Sequence, residues 1–279
     1  MGEKSLRYHK IIKMKTTPTE FKYILIILSA FISGITYGQA RFKQGDEFQR
    51  QIIAKSNCVL QRGSQTLHVS SVSIATKSYK VTDASEKGTT FTISTDKLID
   101  TINAMNQNMV YHSGRPIDPN SIIQAGLQKI VNAQASVSVN NRGDIMAIKR
   151  PAAANDTLLS FAGIQPENLF AGNTLQFMVN FSINPSLKKG FTWKVTTSSA
   201  ETNYTIYAVS SLTTTITYKV SVLGGSLNSR INGTMLIDNN TGVVLKRYSQ
   251  SVSTGYEMVN GIVYTATRRT AVTEMCNKK

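Results

Sequence analysis

Beyond residue 40, every proline falls in one middle stretch. Pro116, Pro119, Pro151, Pro166 and Pro185 lie there, and residues 41–115 and 186–279 contain none. Proline has no N–H to give to a ladder, so it is kept out of central strands. The two flanks are therefore free to form long strands, and the middle is left for helix and loop. The C-terminal flank carries the period of two that a half-buried strand requires. Phe191, Trp193 and Val195 alternate with Thr192, Lys194 and Thr196, and Ile216, Tyr218, Val220 and Val222 alternate with Thr215, Thr217, Lys219 and Ser221. Turn signals separate the runs at Gly224-Gly225, Asn239-Asn240-Thr241-Gly242 and Asn260-Gly261. This predicts an antiparallel meander over 190–273. Segments 46–60, 65–82 and 88–102 read as strands with a less clean alternation. One helix is signalled between the flanks. Asp118 can cap it, Pro119 suits its first position, and Ile123, Leu127, Ile130 and Val131 share one face. Residues 155–170 are a second short helix or an ordered loop.

The two flanks carry similar marks. Phe42-Lys43-Gln44-Gly45-Asp46-Glu47-Phe48 and Leu187-Lys188-Lys189-Gly190-Phe191-Thr192-Trp193 both read apolar-Lys-x-Gly-x-x-aromatic. Asn140-Asn141-Arg142-Gly143 and Asn239-Asn240-Thr241-Gly242 follow in the same order, each leading into an apolar run that ends in Lys-Arg. The expected fold is mainly β, α+β in detail: a curved antiparallel sheet or incomplete barrel of two duplicated halves. The halves span about 41–150 and 186–273 of a single domain, 41–279, with one or two helices in the central segment joining them.

The first 40 residues read as an export signal. Lys15 and Lys22 form a positive region, Tyr23–Ile32 an apolar one, and Gly38 and Ala40 place small residues before a cut at Arg41. The apolar run is shorter than the roughly 20 residues that span a bilayer, so it is read as a cleaved signal and not as an anchor. Met14 opens a signal of ordinary proportions, which makes 1–13 consistent with an over-long start. No cysteine stands at the cut, so no lipid is expected on the mature N-terminus. The expected location is periplasmic or extracellular, with no stable membrane span after cleavage.

The formal charge is +15. Residues 1–40 hold six Lys/Arg and two acids, so their removal leaves +11. Such a charge favours anionic partners, but the basic residues are scattered singly or in pairs and no nucleic-acid motif accompanies them. Cys58 and Cys276 are the only cysteines. In an oxidising compartment they are a candidate disulfide. Such a bridge would close nearly the whole mature chain, worth roughly 4–5 kcal/mol in the chain-entropy model. The alternative is two separate thiols, because spacing does not fix proximity.

No catalytic constellation emerges. His68 lies in a strand pattern and His112 beside a turn, and no His-x-x-x-His or Cys-x-x-Cys spacing supports a metal site. Asp83/Glu86 and Asp96/Asp100 are the available carboxylate pairs, and they read as solvated surface. Asp238-Asn239-Asn240-Thr241-Gly242 begins like a calcium loop but has Ser249 where the twelfth-position acid belongs, and reads as a hairpin turn. Phe170, Phe177, Phe181, Phe191, Trp193, Tyr204, Tyr207 and Tyr218 concentrate in the second half. They suit either a filled core or a lined cavity.

The signal, the Lys-x-Gly-x-x-aromatic mark, Tyr111-His112-Ser113, the helix, Gly233-Thr234-Met235-Leu236-Ile237-Asp238 and Thr241-Gly242 together resemble an uncharacterised family of exported Gram-negative proteins, a domain of unknown function. The likeness extends over most of 41–273 and brings no catalytic or binding residues with it. The implied architecture is similar to the periplasmic lipoprotein carriers, in which an incomplete antiparallel barrel wraps helices around an apolar cavity. The resulting expectation is a non-enzymatic exported binding protein for a lipid-like or other apolar ligand, with no cofactor and no metal. The alternative is a cell-envelope structural or interaction protein with a filled core.

Overall fold

The structure, a computed structural model, describes residues 41–104, 107–131, 133–149, 169–179, 188–197, 199–223, 226–259 and 261–279. The export signal, the turn at Gly224-Gly225, Phe181 and most of 155–170 lie outside the described residues. From residue 41 onward the chain belongs to one compact unit. Its elements are β1 (Glu47–Arg62), β2 (Gln65–Ser85), β3 (Gly88–Ala104), β4 (Gln107–His112), α1 (Ile122–Gln128), β5 (Gln134–Val139), β6 (Ile145–Lys149), β7 (Thr192–Thr196), β8 (Ala200–Val209), β9 (Thr213–Val222), β10 (Leu227–Asp238), β11 (Val244–Val259) and β12 (Ile262–Lys278).

All twelve strands join one antiparallel sheet in the order β6-β5-β3-β2-β1-β12-β11-β10-β9-β8-β7, with β4 also paired to β3. The edges β6 and β7 are not paired with each other, so the sheet stays open. A five-stranded meander lies on either side of β12, and each begins at a Lys-x-Gly turn. Gly45 (φ 90°) and Gly190 (φ 86°) occupy the left-handed region that favours glycine. The Gly45 N–H donates to the Val81 carbonyl, and the Val81 N–H returns to that of Asp46. Gly190 and Ile206 repeat this pattern, with Ile206 donating to Phe191. The two Asn-Asn-x-Gly quartets both turn hairpins, β5 to β6 and β10 to β11.

Residues directly opposite in an antiparallel ladder share a face, and one face carries the core. On β1 that face presents Phe48, Arg50, Ile52, Ala54, Ser56, Cys58 and Leu60, all buried. A strap, residues 169–179, crosses this face near the Asn-x-Gly hairpins. Thr174 bridges Asp144 at the start of β6, and Met178 bridges Val243 at the start of β11. The Met178 N–H closes a turn onto the Leu175 carbonyl at 2.8 Å. That turn keeps Thr174 and Met178 within about 11 Å of each other. In a flat sheet, the six strand spacings from β6 to β11 would span about 29 Å. Even with a bridge width added at each end, the strap is too short for that span. The sheet is therefore curved, with the strap on its concave side. Phe177 anchors it, stacked on Tyr79 (centroids 4.2 Å apart) and edge-on to Phe91 (5.3 Å). Burying Leu175, Phe177 and Met178 there contributes about 1.5–3 kcal/mol each.

The helix starts later than its sequence signals. Asp118 and Pro119 belong to a turn, in which the Ser121 N–H donates to the Asp118 carbonyl. Ser121 is the cap, its side chain accepting from the Gln124 N–H. Ser121 sits just before the first helical residue, whereas the proline motif lies one turn upstream. Through Leu127, and with Ile123, Ile130 and Val131, α1 and the turn after it pack on Leu98, Ile102 and Tyr111 of β3 and β4.

Candidate functional site

One rung of the sheet crosses ten strands on the concave face. From β7 it runs Trp193, Tyr204, Tyr218, Gly233, Ser249, Val272, Ala54, Ser73, Asp100 and Tyr111. Its first third is aromatic. Trp193 stacks on Tyr204 at 4.9 Å and 14°, Phe191 on Trp193 at 5.9 Å and 25°, and Tyr218 continues the row at 6.2 Å from Tyr204. All four rings are half-buried. Gly233 is where the row meets small residues. A Cβ on Gly233 would lie 2.3 Å from Tyr218 Cζ, so only glycine lets the tyrosine ring lie across β10. Beyond it, Ser249, Ser251 and Ser253 of β11 continue the same face, half-buried. Ser253 is hydrogen-bonded to Ser229 of β10 at 2.7 Å.

A charge cluster lies one step along β11 from the rung, toward the strap. Glu274 of β12 pairs with Arg50 of β1 at 2.8 Å and with Arg247 of β11 at 3.4 Å. Arg50 is buried and also donates to the Tyr79 hydroxyl at 3.0 Å. Arg247 donates to the Gln176 carbonyl of the strap at 2.7 Å. Two guanidiniums thus share the Glu274 carboxylate on the concave face. The Arg247 charge reaches the aromatic row. Burial pushes the Tyr204 and Tyr218 hydroxyls up from their usual range, and Arg247 pulls both the other way. Further along the same face, Arg268 pairs with Glu257 at 2.7 Å.

The structure separates the residues that the sequence offered for chemistry. Cys58 and Cys276 are free and buried, and the candidate disulfide is not formed. Cys276 is paired with Arg50 and Cys58 with Arg268, eight residues apart along β12. That is about 27 Å along the strand, against the 4.4–6.8 Å between Cα atoms that a bridge needs. Burial raises both thiols, Cys276 to about 11. His68 is exposed. The His112 Nδ1 accepts from the Gly114 N–H. Among the described residues, neither histidine has a serine and an acid arranged around it. No cluster of three His, Cys, Asp or Glu that could hold a metal occurs among the described residues. Asp238 Oδ1 accepts from the N–H groups of Asn240 and Thr241, which builds the hairpin turn. Two open clefts also indent the sheet. One, about 450 Å³, is lined by Asn57, His68 and Asn103 together with Val59 and Val69, and the other, about 370 Å³, by Lys219, Asn232 and Gln250 together with Tyr218 and Tyr248.

Asp100 overturns the surface reading of its pair. Asp96 is exposed and accepts from Ser78 and Ser94. Asp100 is fully buried beside Tyr111, and neither carboxylate oxygen has a hydrogen-bond partner among the described residues. Burial alone raises it from 3.8 to about 7. Arg50, Glu274 and Asp100 share one signal that sequence reasoning passed over. Each occupies the apolar parity of its strand: Arg50 between Phe48 and Ile52, Asp100 between Leu98 and Ile102, Glu274 between Val272 and Cys276. A charge at a core position of a strand marks either a buried ion pair or a group held neutral.

No family model and no curated protein matches the chain. Among solved structures the fold is similar to part of lipovitellin, in a structure of lipid–protein interactions in lipovitellin. The TM-score is 0.50, with 9% identity over 85% of this chain and 25% of that one. The chain thus spans about a quarter of the lipovitellin chain. Two bacterial structures also match: an outer membrane channel from Pseudomonas putida F1 and a DUF1329 family protein from Desulfovibrio piger ATCC 29098. The channel gives a TM-score of 0.28 with 6% identity, over 85% of this chain and 97% of that one. The DUF1329 protein gives 0.21 with 10% identity, over 94% of this chain and 92% of that one. The lipovitellin likeness shows a common sheet fold.

Proposed function

We propose that the protein is an exported, non-enzymatic binding protein that carries an apolar or amphipathic, lipid-like ligand on its concave face. The observation that carries this reading is the half-buried aromatic row Phe191-Trp193-Tyr204-Tyr218, which gives way at Gly233 to a lane of small side chains. Stacked rings offer apolar area at little cost in side-chain entropy, and small neighbours leave room above the sheet. The likeness of the sheet to the lipid-associated lipovitellin structure supports the reading. So does the N-terminal export pattern, which directs the chain to the periplasm or beyond. No helix among the described residues is long and apolar enough to cross a membrane. The test is native mass spectrometry of the chain purified from an exporting host without harsh detergent, followed by organic extraction. A stoichiometric lipid-like adduct is expected. A bare mass that stays bare after exposure to envelope lipids would refute the reading.

A second reading is favoured by one observation on the opposite face. Tyr256 and Met258 of β11 are exposed there beside Val263 of β12, which pairs with Met258 and is exposed too. Contiguous exposed apolar side chains mark interaction surfaces, so an envelope interaction protein working through this face is the alternative. Under that reading the concave face stays empty in the same experiment, and a partner protein co-purifies until Tyr256→Ser and Met258→Ser are introduced.

A further inference from the structure

We infer that the ligand is an anionic amphiphile, its acidic headgroup held at Arg247 and its chain laid over Tyr218, Tyr204 and Trp193; this rests on the binding reading above. The setting of Arg247 is the first argument. Arg50 and Arg247 both reach Glu274, and the two arginines are not equivalent. Arg50 holds the carboxylate at 2.8 Å with its side chain 2% exposed, whereas Arg247 stands at 3.4 Å and is 17% exposed. Arg247 is thus the looser and more accessible of the two partners of that carboxylate. The strap carbonyl of Gln176 takes one of its donors at 2.7 Å and fixes the guanidinium in place. A positioned guanidinium with spare donors matches the oxygens of a carboxylate or phosphate.

Position is the second argument. Arg247 lies two residues from Ser249 on β11, and Ser249 lies on the rung with Gly233 and Tyr218. The Arg247 charge acts on both Tyr204 and Tyr218. The cation thus stands at the head of the aromatic row, and from β11 to β7 the row runs across four strand spacings, about 19 Å. A cationic ligand would be repelled at this end, and a neutral one would gain nothing from it. An acid with a long alkyl chain satisfies both ends at once.

Trp193 is the only tryptophan of the chain and sits in the row, so its emission reports occupancy directly. The experiment titrates the full chain, stripped of bound lipid, with hexadecanoate, methyl hexadecanoate and hexadecyl phosphate at low salt. The two acids are expected to bind at least about tenfold more tightly than the ester, the factor of one charge-assisted contact. Arg247→Gln is expected to bring the acids down to the level of the ester. The preference for the acids in the unaltered chain should also shrink as salt is raised. Hexadecyl phosphate well above hexadecanoate would assign the headgroup as phosphate, and the reverse as carboxylate. Equal binding of acid and ester by the unaltered chain would overturn the inference and leave the binding reading standing. So would an acid preference that survives Arg247→Gln. If that variant does not fold, an acid preference indifferent to salt decides against the inference. Failure of all three probes to bind would sink the binding reading itself.

Discussion

Asp100 makes stability depend on pH in a direction opposite to that of most carboxylates. Its carboxyl is fully buried on β3, between Ser73 of β2 and Tyr111 of β4, and its oxygens have no hydrogen-bond partner among the described residues. Burial raises its pKa from 3.8 to about 7. The folded chain therefore holds the Asp100 proton more tightly than the unfolded chain does. The stabilisation is full below about pH 4, falls as pH rises, and is lost once pH passes about 7. At about 1.4 kcal/mol per pKa unit, the shift corresponds to roughly 4 kcal/mol between those limits. Asp100→Asn replaces the acid with a neutral group of the same shape, so the variant should lack this fall. The assay is urea denaturation of both proteins at intervals from pH 4 to pH 8.5, comparing midpoints at equal slopes. The difference between the two isolates Asp100, because every other titrating group is common to both. The variant should match the parent near pH 4 and exceed it by about 2–4 kcal/mol at pH 8. A difference that stays constant with pH, or a variant less stable than the parent at pH 8, would refute the reasoning.

Glu274→Gln should cost about 3–5 kcal/mol in the same denaturation assay, because it removes the carboxylate charge that the buried Arg50 guanidinium meets at 2.8 Å. Gly233→Ala should cost about 1–3 kcal/mol, because its methyl would occupy the space of the Tyr218 ring. Adding Tyr218→Ala should then recover part of that loss, a coupling read from the double-mutant cycle. Thiol titration should find Cys58 and Cys276 unreactive in the native chain and both reactive in urea, since both are buried and raised by burial. A reductant should leave the unfolding midpoint unchanged.

Local patterns carried much of the fold. Proline placement and the period of two located β1, β2 and β3 to within three residues at each end and marked the C-terminal flank as strands. These signals work because each residue's own backbone chemistry and its side of the pleat decide them. The helix was found but set one turn early, because Asp118 and Pro119 are acceptable starts and the choice of Ser121 depends on how α1 docks on β3 and β4. The candidate site was legible in its aromatics, which alternate correctly on β7 and β9, but not in its charges. Arg50, Arg247 and Glu274 are far apart in the chain and meet only because β1, β12 and β11 are neighbours in this register.

By itself, the sequence determined that this chain folds as antiparallel strands that turn at the two Asn-x-Gly hairpins, because turn geometry and side-chain alternation are properties of a few consecutive residues. Only the tertiary structure decided which strands lie side by side, that the sheet stays open, and that a strap curves it. It also placed Cys58 and Cys276 far apart and buried Asp100 in the interior. These are matters of register and burial, set by contacts between residues distant in the chain, and no local pattern encodes them.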